Sequence, residues 1–205
     1  MKKVVISILA ALLTASVLFA QTPEEIIARM NKETDRFNQE GFSMVMDMKL
    51  PILGTFSTKM SILGDKYKAM VEVKGEKAYT WSDGVTDWVY DASENELTIK
   101  KATPSEAKGS VTALHNVTEG YDVTLKKETP EAWHFLCTKS KTNTKKDDPK
   151  RMDLVVSKAT YLPISHSTSM KGVTVTLHDF VLGVTEAEVA FDPSLCPNAK
   201  IIDER

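Results

Sequence analysis

Apolar residues recur at every second position from Phe42 to Leu50, which predicts a β-strand with one apolar face. The side chains on that face are Phe42, Met44, Met46, Met48 and Leu50. Methionine is unbranched and fills irregular space, whereas Val, Ile and Phe specify a single packing arrangement. Two interpretations follow: the face belongs to an ordinary sheet core, or it is an apolar surface that accepts acyl chains.

The same period of two predicts many short strands along the rest of the chain. Phe56, Thr58, Met60 and Ile62 share a face, and Tyr67, Ala69, Val71 and Val73 follow after a turn at Gly64-Asp65. Further strands are predicted at Ala78–Trp81, Trp88–Tyr90, Leu97–Lys100, Tyr121–Lys127, Trp133–Lys139, Met152–Ser157, Ile164–Met170, Val173–Phe180 and Glu188–Phe191. Ser82-Asp83-Gly84 and Ser93-Glu94-Asn95 separate neighbouring strands, as the turns of successive hairpins do.

Two segments are predicted to be helices, and both begin in the same way. Thr22-Pro23-Glu24-Glu25 and Thr103-Pro104-Ser105-Glu106 each offer a hydroxyl N-cap, a proline at the first helical position and a glutamate at the third. The apolar stripes that follow are Ile26, Ile27, Met30 and Phe37 in the first helix, and Ala107, Val111, Leu114 and Val117 in the second. Gly109 weakens the second helix.

Sequential hairpins predict an antiparallel sheet, and two helices are too few to cover both of its faces. A sheet of this many strands curls. The predicted fold class is therefore mainly β (α+β), an incomplete and strongly curved antiparallel β-barrel with helices on its concave side.

The N-terminus has the pattern of a secretory signal peptide, since Lys2 and Lys3 precede an apolar run that ends at Ala20. Cleavage is expected between Ala20 and Gln21, which leaves residues 21–205 as a single domain in the periplasm. No cysteine lies near that junction, so the mature protein is expected to be untethered. A retained membrane anchor is the alternative.

Composition argues against nucleic acid as a partner. The chain has 26 basic and 28 acidic residues, and loss of Lys2 and Lys3 changes its net charge from −2 to about −4. Neither sign dominates, whereas nucleic-acid binding needs a strongly basic surface.

Cys137 and Cys196 are the only cysteines. In an oxidising exported compartment they could pair, and the bridge would close a loop of roughly 60 residues worth about 4 kcal/mol. The alternative is two buried, unpaired thiols. Metal binding is disfavoured because the histidines and cysteines form no recognised metal-binding motif.

The sequence offers no catalytic constellation. The histidines His115, His134, His166 and His178 are far apart and lie in no recognised motif. The basic stretch from Lys139 to Arg151 is interrupted by Asp147 and Asp148, so it is either a solvated hairpin loop or a docking patch for a membrane surface or an acidic partner. No metal, cofactor or enzymatic activity is expected.

The hairpin Trp81-Ser82-Asp83-Gly84-Val85-Thr86-Asp87-Trp88-Val89-Tyr90-Asp91 resembles LolA, the periplasmic carrier that takes lipoproteins from the inner to the outer membrane of Gram-negative bacteria. The resemblance extends over the order of parts: a signal peptide, a first helix, paired strands, this hairpin, a helix near residues 103–118, further strands, and a C-terminal Phe191-Asp192-Pro193 followed by Ile201-Ile202-Asp203. It covers essentially the whole mature chain.

What the resemblance implies is a monomeric carrier with a hydrophobic cavity for lipoprotein acyl chains, loaded by an inner-membrane ABC transporter and emptied by an outer-membrane acceptor. The cavity residues expected here are Phe42, Met44, Met46, Met48, Leu50, Phe56, Met60, Ile62, Trp81, Trp88 and Tyr90, with Val111, Leu114 and Val117 on the lid. Trp81, Trp88 and Tyr90 could instead be core residues or form a stacking platform.

The chain departs from LolA at one position. LolA proteins carry an arginine near the end of the strand before the Trp-bearing hairpins, where it bonds the lid. The equivalent stretch here is Ile62-Leu63-Gly64-Asp65-Lys66, in which Lys66 or Lys68 lacks the planar donor fork of arginine.

Two other functions remain open. A module that senses lipids or mislocalised lipoproteins could share this fold, since fold does not fix function. A lipid-acting enzyme is a distant third.

Overall fold

In the part of the chain that the structure describes, twelve strands form one curled sheet that does not close into a barrel. The structure, a computed structural model, describes residues 21–73, 75–102 and 116–205. The predicted signal peptide and most of the predicted helix after Thr103, including Val111 and Leu114, lie outside the described residues.

The strands follow the predicted hairpins closely. Their bounds are β1 Phe42–Leu50, β2 Gly54–Leu63, β3 Lys66–Val73, β4 Glu76–Ser82, β5 Thr86–Asp91, β6 Glu96–Lys101, β7 Tyr121–Glu128, β8 Ala132–Lys139, β9 Arg151–Ser157, β10 Pro163–Met170, β11 Val173–Leu182 and β12 Lys200–Asp203. Their order in the sheet is β12-β6-β5-β4-β3-β2-β1-β11-β10-β9-β8-β7.

Strand pairing is antiparallel throughout except at one edge. There β12 runs parallel to β6, with Lys200 opposite Glu96. The strand β1 lies in the middle of the sheet, between its sequence neighbour β2 and the distant strand β11. The predicted mainly β, incompletely closed antiparallel sheet is confirmed.

The first helix forms as its sequence predicts but is interrupted. Thr22 and Glu25 make the predicted capping box at the start of α1 (Pro23–Thr34). A turn at residues 35–36 separates α1 from a short α2 (Phe37–Glu40), so Phe37 packs on the sheet from a separate helix.

The predicted strand Glu188–Phe191 is wrong. The chain forms a helix there, α3 (Glu186–Val189), followed by a 3₁₀ turn (Pro193–Leu195). The physical reason is a second capping box, in which the Glu188 carboxylate accepts hydrogen bonds from the backbone N–H and hydroxyl of Thr185 at 2.8 and 2.7 Å.

Three apolar clusters form the core. The first joins α1 to β8 and β9 through Ile26, Met30, Phe135 and Leu154. The second packs Phe37 on Phe42, with ring centroids 4.5 Å apart. The third surrounds the fully buried Trp81 and includes the segment after α3.

Candidate functional site

The sheet has two faces of different character. The side containing Met44, Met46, Met48 and Met60 is called here the methionine face, and the side containing Trp81 and Trp88 is called the tryptophan face. Cross-strand register assigns each directly paired strand residue to one or the other, because residues directly opposite each other point to the same side.

Two rows of residues cross the methionine face from β2 to β8. The first row is Thr58, Met46, Leu177, His166, Leu154 and Phe135. The second row is Phe56, Met48, Val175, Thr168, Met152 and Cys137. The β8–β9 end of both rows is buried under α1, while Met46, Met48 and Phe56 near the other end are half-buried.

The other end of β1 is sealed core. Phe42, Met44 and Ile62 are almost completely buried and pack with Phe37 and Tyr67. Of the residues predicted to line a cavity, the structure therefore keeps Met46, Met48, Leu50, Phe56 and Met60 as half-buried members of the methionine face.

Leu177, Val175 and His166 belong to the same surface but were not predicted as site residues. The alternation Val173-Thr174-Val175-Thr176-Leu177 indicates that Val175 and Leu177 lie on one apolar face. The signal for His166 is weak, because serine residues surround it on β10.

His166 is the one imidazole on these rows. It lies between Leu154 and Leu177, and its Nε2 is 3.4 Å from the Met152 sulfur. Burial lowers the pKa of His166 below its ordinary value, because the surrounding side chains do not solvate a charged ring. The surroundings of His166 therefore favour the neutral form of its ring.

The tryptophan face of the central strands is polar. Ser57 donates a hydrogen bond of 2.5 Å to Asp47, and His178 Nε2 lies 3.2 Å from the other Asp47 oxygen. The Ser57 hydroxyl lowers the pKa of Asp47, and the His178 contact acts in the same direction. The two sides of β1 thus differ sharply, which identifies the methionine side as the one that avoids water.

The predicted placement of Trp81, Trp88 and Tyr90 in the cavity is contradicted by the register. Tyr67 on the methionine face pairs with Ser82, so Trp81 points to the opposite side. There Phe191 stacks on Trp88 at 5.0 Å and meets Trp81 edge-on at 5.3 Å. These aromatic side chains are a core covered by the C-terminal segment.

A disulfide between Cys137 and Cys196, one of the two alternatives that the sequence leaves open, is absent. Cys137 is buried under α1 on the methionine face, whereas Cys196 is buried beside Trp81 on the tryptophan face, and both are free thiols. Burial raises the pKa of Cys137 to about 11. The alternative of two buried thiols describes the structure.

Neither lysine that could replace the LolA arginine faces the methionine side. Lys66 forms an ion pair of 2.5 Å with Glu186 of α3. Lys68 pairs with Trp81 across β3 and β4, and its Nζ lies 6.0 Å from the Trp81 and Tyr79 rings. Among the described residues, Val117 is the one predicted lid residue. It lies in a turn and packs against the apolar cluster that joins α1 to β8 and β9.

The topology is the one that the sequence predicts, a curled antiparallel sheet that does not close into a barrel. The chain is similar to an uncharacterised conserved protein from Thermus thermophilus, with a TM-score of 0.52, 16% identity, and coverage of 90% of this chain and 100% of that one. Other similar structures are a LolA superfamily protein from Nitrosomonas europaea and MucB.

The Nitrosomonas match has a TM-score of 0.38 and 15% identity, and covers 85% of this chain and 100% of that one. The MucB match has a TM-score of 0.48 and 12% identity, and covers 82% of this chain and 63% of MucB. At such identities the likeness concerns the fold alone. No protein-family model matches the sequence, and neither does any curated protein.

Neither a membrane-spanning helix nor a metal-ligating cluster occurs in residues 21–73, 75–102 and 116–205. No helix in these ranges has the length and apolarity needed to cross a membrane. No group of three His, Cys, Asp or Glu side chains in the same ranges is arranged to hold a metal ion.

Proposed function

We propose that the chain is a periplasmic carrier that binds the acyl chains of lipoproteins on the methionine face and moves them from the inner to the outer membrane. The observation that carries this proposal is the pair of apolar rows across β2, β1 and β11, whose members Met46, Met48 and Phe56 are half-buried.

The dimensions of the rows suit an acyl chain. The β8–β9 end of each row is covered by α1, so four strands, from β2 to β10, remain open to a ligand. At a spacing of about 4.8 Å they give each row a mainly apolar path of about 14 Å. Each methylene group buried on this path contributes about 0.8 kcal/mol. Contact with eight methylene groups would therefore contribute about 6 kcal/mol before the entropy lost on binding is subtracted.

Methionine suits such a ligand because its side chain can repack around acyl chains of different length. The sealed clusters that contain Phe42 and Leu154 bound the half-buried part of this surface and supply a rigid frame, since both side chains are almost fully buried. An adaptable surface held between two fixed cores favours reversible binding of variable cargo.

The proposal describes a binding protein. The titratable groups of the two rows are His166 and Cys137, and the His166 ring contacts a thioether sulfur, which is no partner for acid–base chemistry. Loading by an inner-membrane transporter and release to an outer-membrane acceptor complete the proposed cycle.

Adjacent residues of β1 provide a matched test. Met46→Asp places a carboxylate in the apolar rows, whereas Val45→Asp places it on the tryptophan face opposite Lys59 and His178. We expect Met46→Asp to reduce the affinity for a fluorescent fatty acid at least tenfold, because the ligand must then desolvate a charge. We expect Val45→Asp to bind like the wild type.

Circular dichroism and urea unfolding of both variants establish that each is folded. Equal affinity of a folded Met46→Asp variant and the wild type would overturn the proposed binding face. A protein that binds acyl chains but passes no lipoprotein to outer-membrane vesicles would overturn the carrier role while retaining the binding site.

A further inference from the structure

Three large apolar side chains are exposed at one end of the sheet. Ile52 and Leu53, in the β1–β2 turn, are 94% and 69% exposed, and Met170, at the end of β10, is 45% exposed. The β1–β2 and β10–β11 turns adjoin, because a Cβ added at Gly172 would lie 3.4 Å from Pro51 Cγ. Residues 51–53 and 170–172 are called here the hairpin tip.

Basic side chains surround the hairpin tip. Lys49, Lys150, Arg151 and Lys171 are all exposed, and within the described part of the chain none of them takes part in an ion pair. This local excess of positive charge contrasts with the net charge of −2 of the whole chain. The excess of positive charge is therefore confined to the surroundings of the hairpin tip.

Hydroxyl groups lie between these cations. Thr174 pairs with Lys49 on one side and with Ser169 on the other, and the Ser169 and Thr174 hydroxyl oxygens are 2.7 Å apart. A cleft of about 430 Å³ opens beside them. It is lined by Lys150, Arg151, Asp153, Ser167, Thr168 and Ser169.

We propose that the hairpin tip docks on an anionic phospholipid bilayer, with Ile52, Leu53 and Met170 inserted at the headgroup level and the surrounding cations on lipid phosphates. Three side chains are far too few for a standard protein interface, which buries about 800 Å² on each partner. A bilayer surface, in contrast, accepts a small apolar wedge and attracts cations within a Debye length of about 10 Å.

Docking at this end also gives the proposed carrier function a short transfer path. The row that contains Phe56, Met48 and Val175 lies next to the hairpin tip, since Leu50 and Gly54 are the next pair along β1 and β2. An acyl chain leaving the bilayer would reach that row directly. This consequence rests on the proposed function, whereas the docking itself does not.

Flotation with lipid vesicles tests the proposal on the mature chain. We expect binding to vesicles of phosphatidylcholine with 30% phosphatidylglycerol, and binding at least tenfold weaker to pure phosphatidylcholine. Lys49→Gln with Lys171→Gln should weaken binding to the anionic vesicles roughly 25-fold, since each charge contributes about fivefold. The matched control is Lys126→Gln with Lys127→Gln. These two exposed lysines lie toward the end of β7 that is far from the hairpin tip.

The apolar contribution needs a separate pair of variants. Ile52→Ser with Leu53→Ser should weaken vesicle binding at least tenfold. Val85→Ser with Val181→Ser is its control, because these side chains are 74% and 60% exposed and lie toward the opposite end of the sheet. All four substituted sites are exposed, so the variants should fold.

Several results would overturn the proposal. The first is failure of the wild type to float with anionic vesicles. The second is an equal loss of vesicle binding in the tip variants and their controls. The third is a self-association, measured by ultracentrifugation, that the Ile52→Ser and Leu53→Ser changes abolish. Failure of docking and failure of acyl binding are distinguishable. Met46→Asp should still float with vesicles, and the tip variants should still bind a fluorescent fatty acid.

Discussion

Phe191→Ala should destabilise the protein without weakening the binding of acyl chains. The Phe191 ring stacks on Trp88 with an interplanar angle of 10° and meets the buried Trp81 edge-on. Truncation of a fully buried phenylalanine costs about 3–5 kcal/mol. Phe191 is half-buried, so we expect a loss of about 2 kcal/mol in the free energy of unfolding.

Urea denaturation monitored by tryptophan fluorescence and by circular dichroism measures this loss. With a slope of about 2–3 kcal/mol per molar urea, the midpoint should fall by about 0.7–1 M. A double-mutant cycle with Trp88→Ala isolates the ring pair, for which a coupling of about 1 kcal/mol is expected.

The affinity for a fluorescent fatty acid is the second measurement. It should stay within twofold of the wild type, because Phe191 and both tryptophans lie on the side of the sheet opposite Met46. A tenfold loss of affinity in the folded variant would refute the assignment of these rings to a separate core. A stability loss below 0.5 kcal/mol would refute the packing argument.

Three further predictions concern Gly41 and Gly64, the buried cysteines and His166. Gly41→Ala should cost at least 3 kcal/mol in urea unfolding, because Gly41 has a φ of +67° and an added Cβ would lie 2.7 Å from a backbone carbonyl oxygen; Gly64→Ala, at a φ of +61° with open space, should cost only about 1 kcal/mol. Cys137 and Cys196 of the folded protein should resist a thiol reagent, because burial raises the pKa of each thiol. Both should react in urea, which unfolds the protein and exposes them. Burial lowers the pKa of His166 in the folded state, so its contribution to stability is present above pH 6.5 and is lost as the pH falls below that value. The free energy of unfolding of His166→Gln should therefore change less between pH 7 and pH 5 than that of the wild type. An equal change in the two proteins would contradict the burial argument.

The strand order of the fold was predictable where turns are short. Gly64-Asp65 fixes the β2–β3 hairpin, and the alternation on both sides of it fixes which residues pair, with Ile62 opposite Tyr67. The hairpins after it follow from Ser82-Asp83-Gly84 and Ser93-Glu94-Asn95 in the same way. Local turn chemistry was therefore sufficient for most strands.

The side occupied by the tryptophans was not predictable by the same means. Trp81 and Trp88 share a face, as their alternation indicates, but their side relative to Met46 depends on the register of every intervening hairpin. A shift of one residue in a single hairpin exchanges the two sides. The cover over these rings also comes from Phe191 and Cys196, more than a hundred residues away, and no local pattern reveals it.

The helix α3 shows a different limit. Glu188–Phe191 has the alternation of a strand, yet the capping box of Thr185 and Glu188 decides the structure because it satisfies backbone and side-chain donors within one turn. A short alternating segment carries little periodic information, so a specific side-chain hydrogen bond prevails over it.

The division of the sheet into two faces explains how one domain can combine stability with an adaptable surface. Trp81 on one side and Phe135 under α1 on the other are almost completely buried, so well-packed cores hold the curled sheet in shape. Met46 and Met48 lie between these cores and need not pack in a single arrangement. Because the stabilising contacts and the proposed ligand contacts involve different side chains, an acyl chain can enter or leave the methionine face without the sheet losing the interactions that keep it folded.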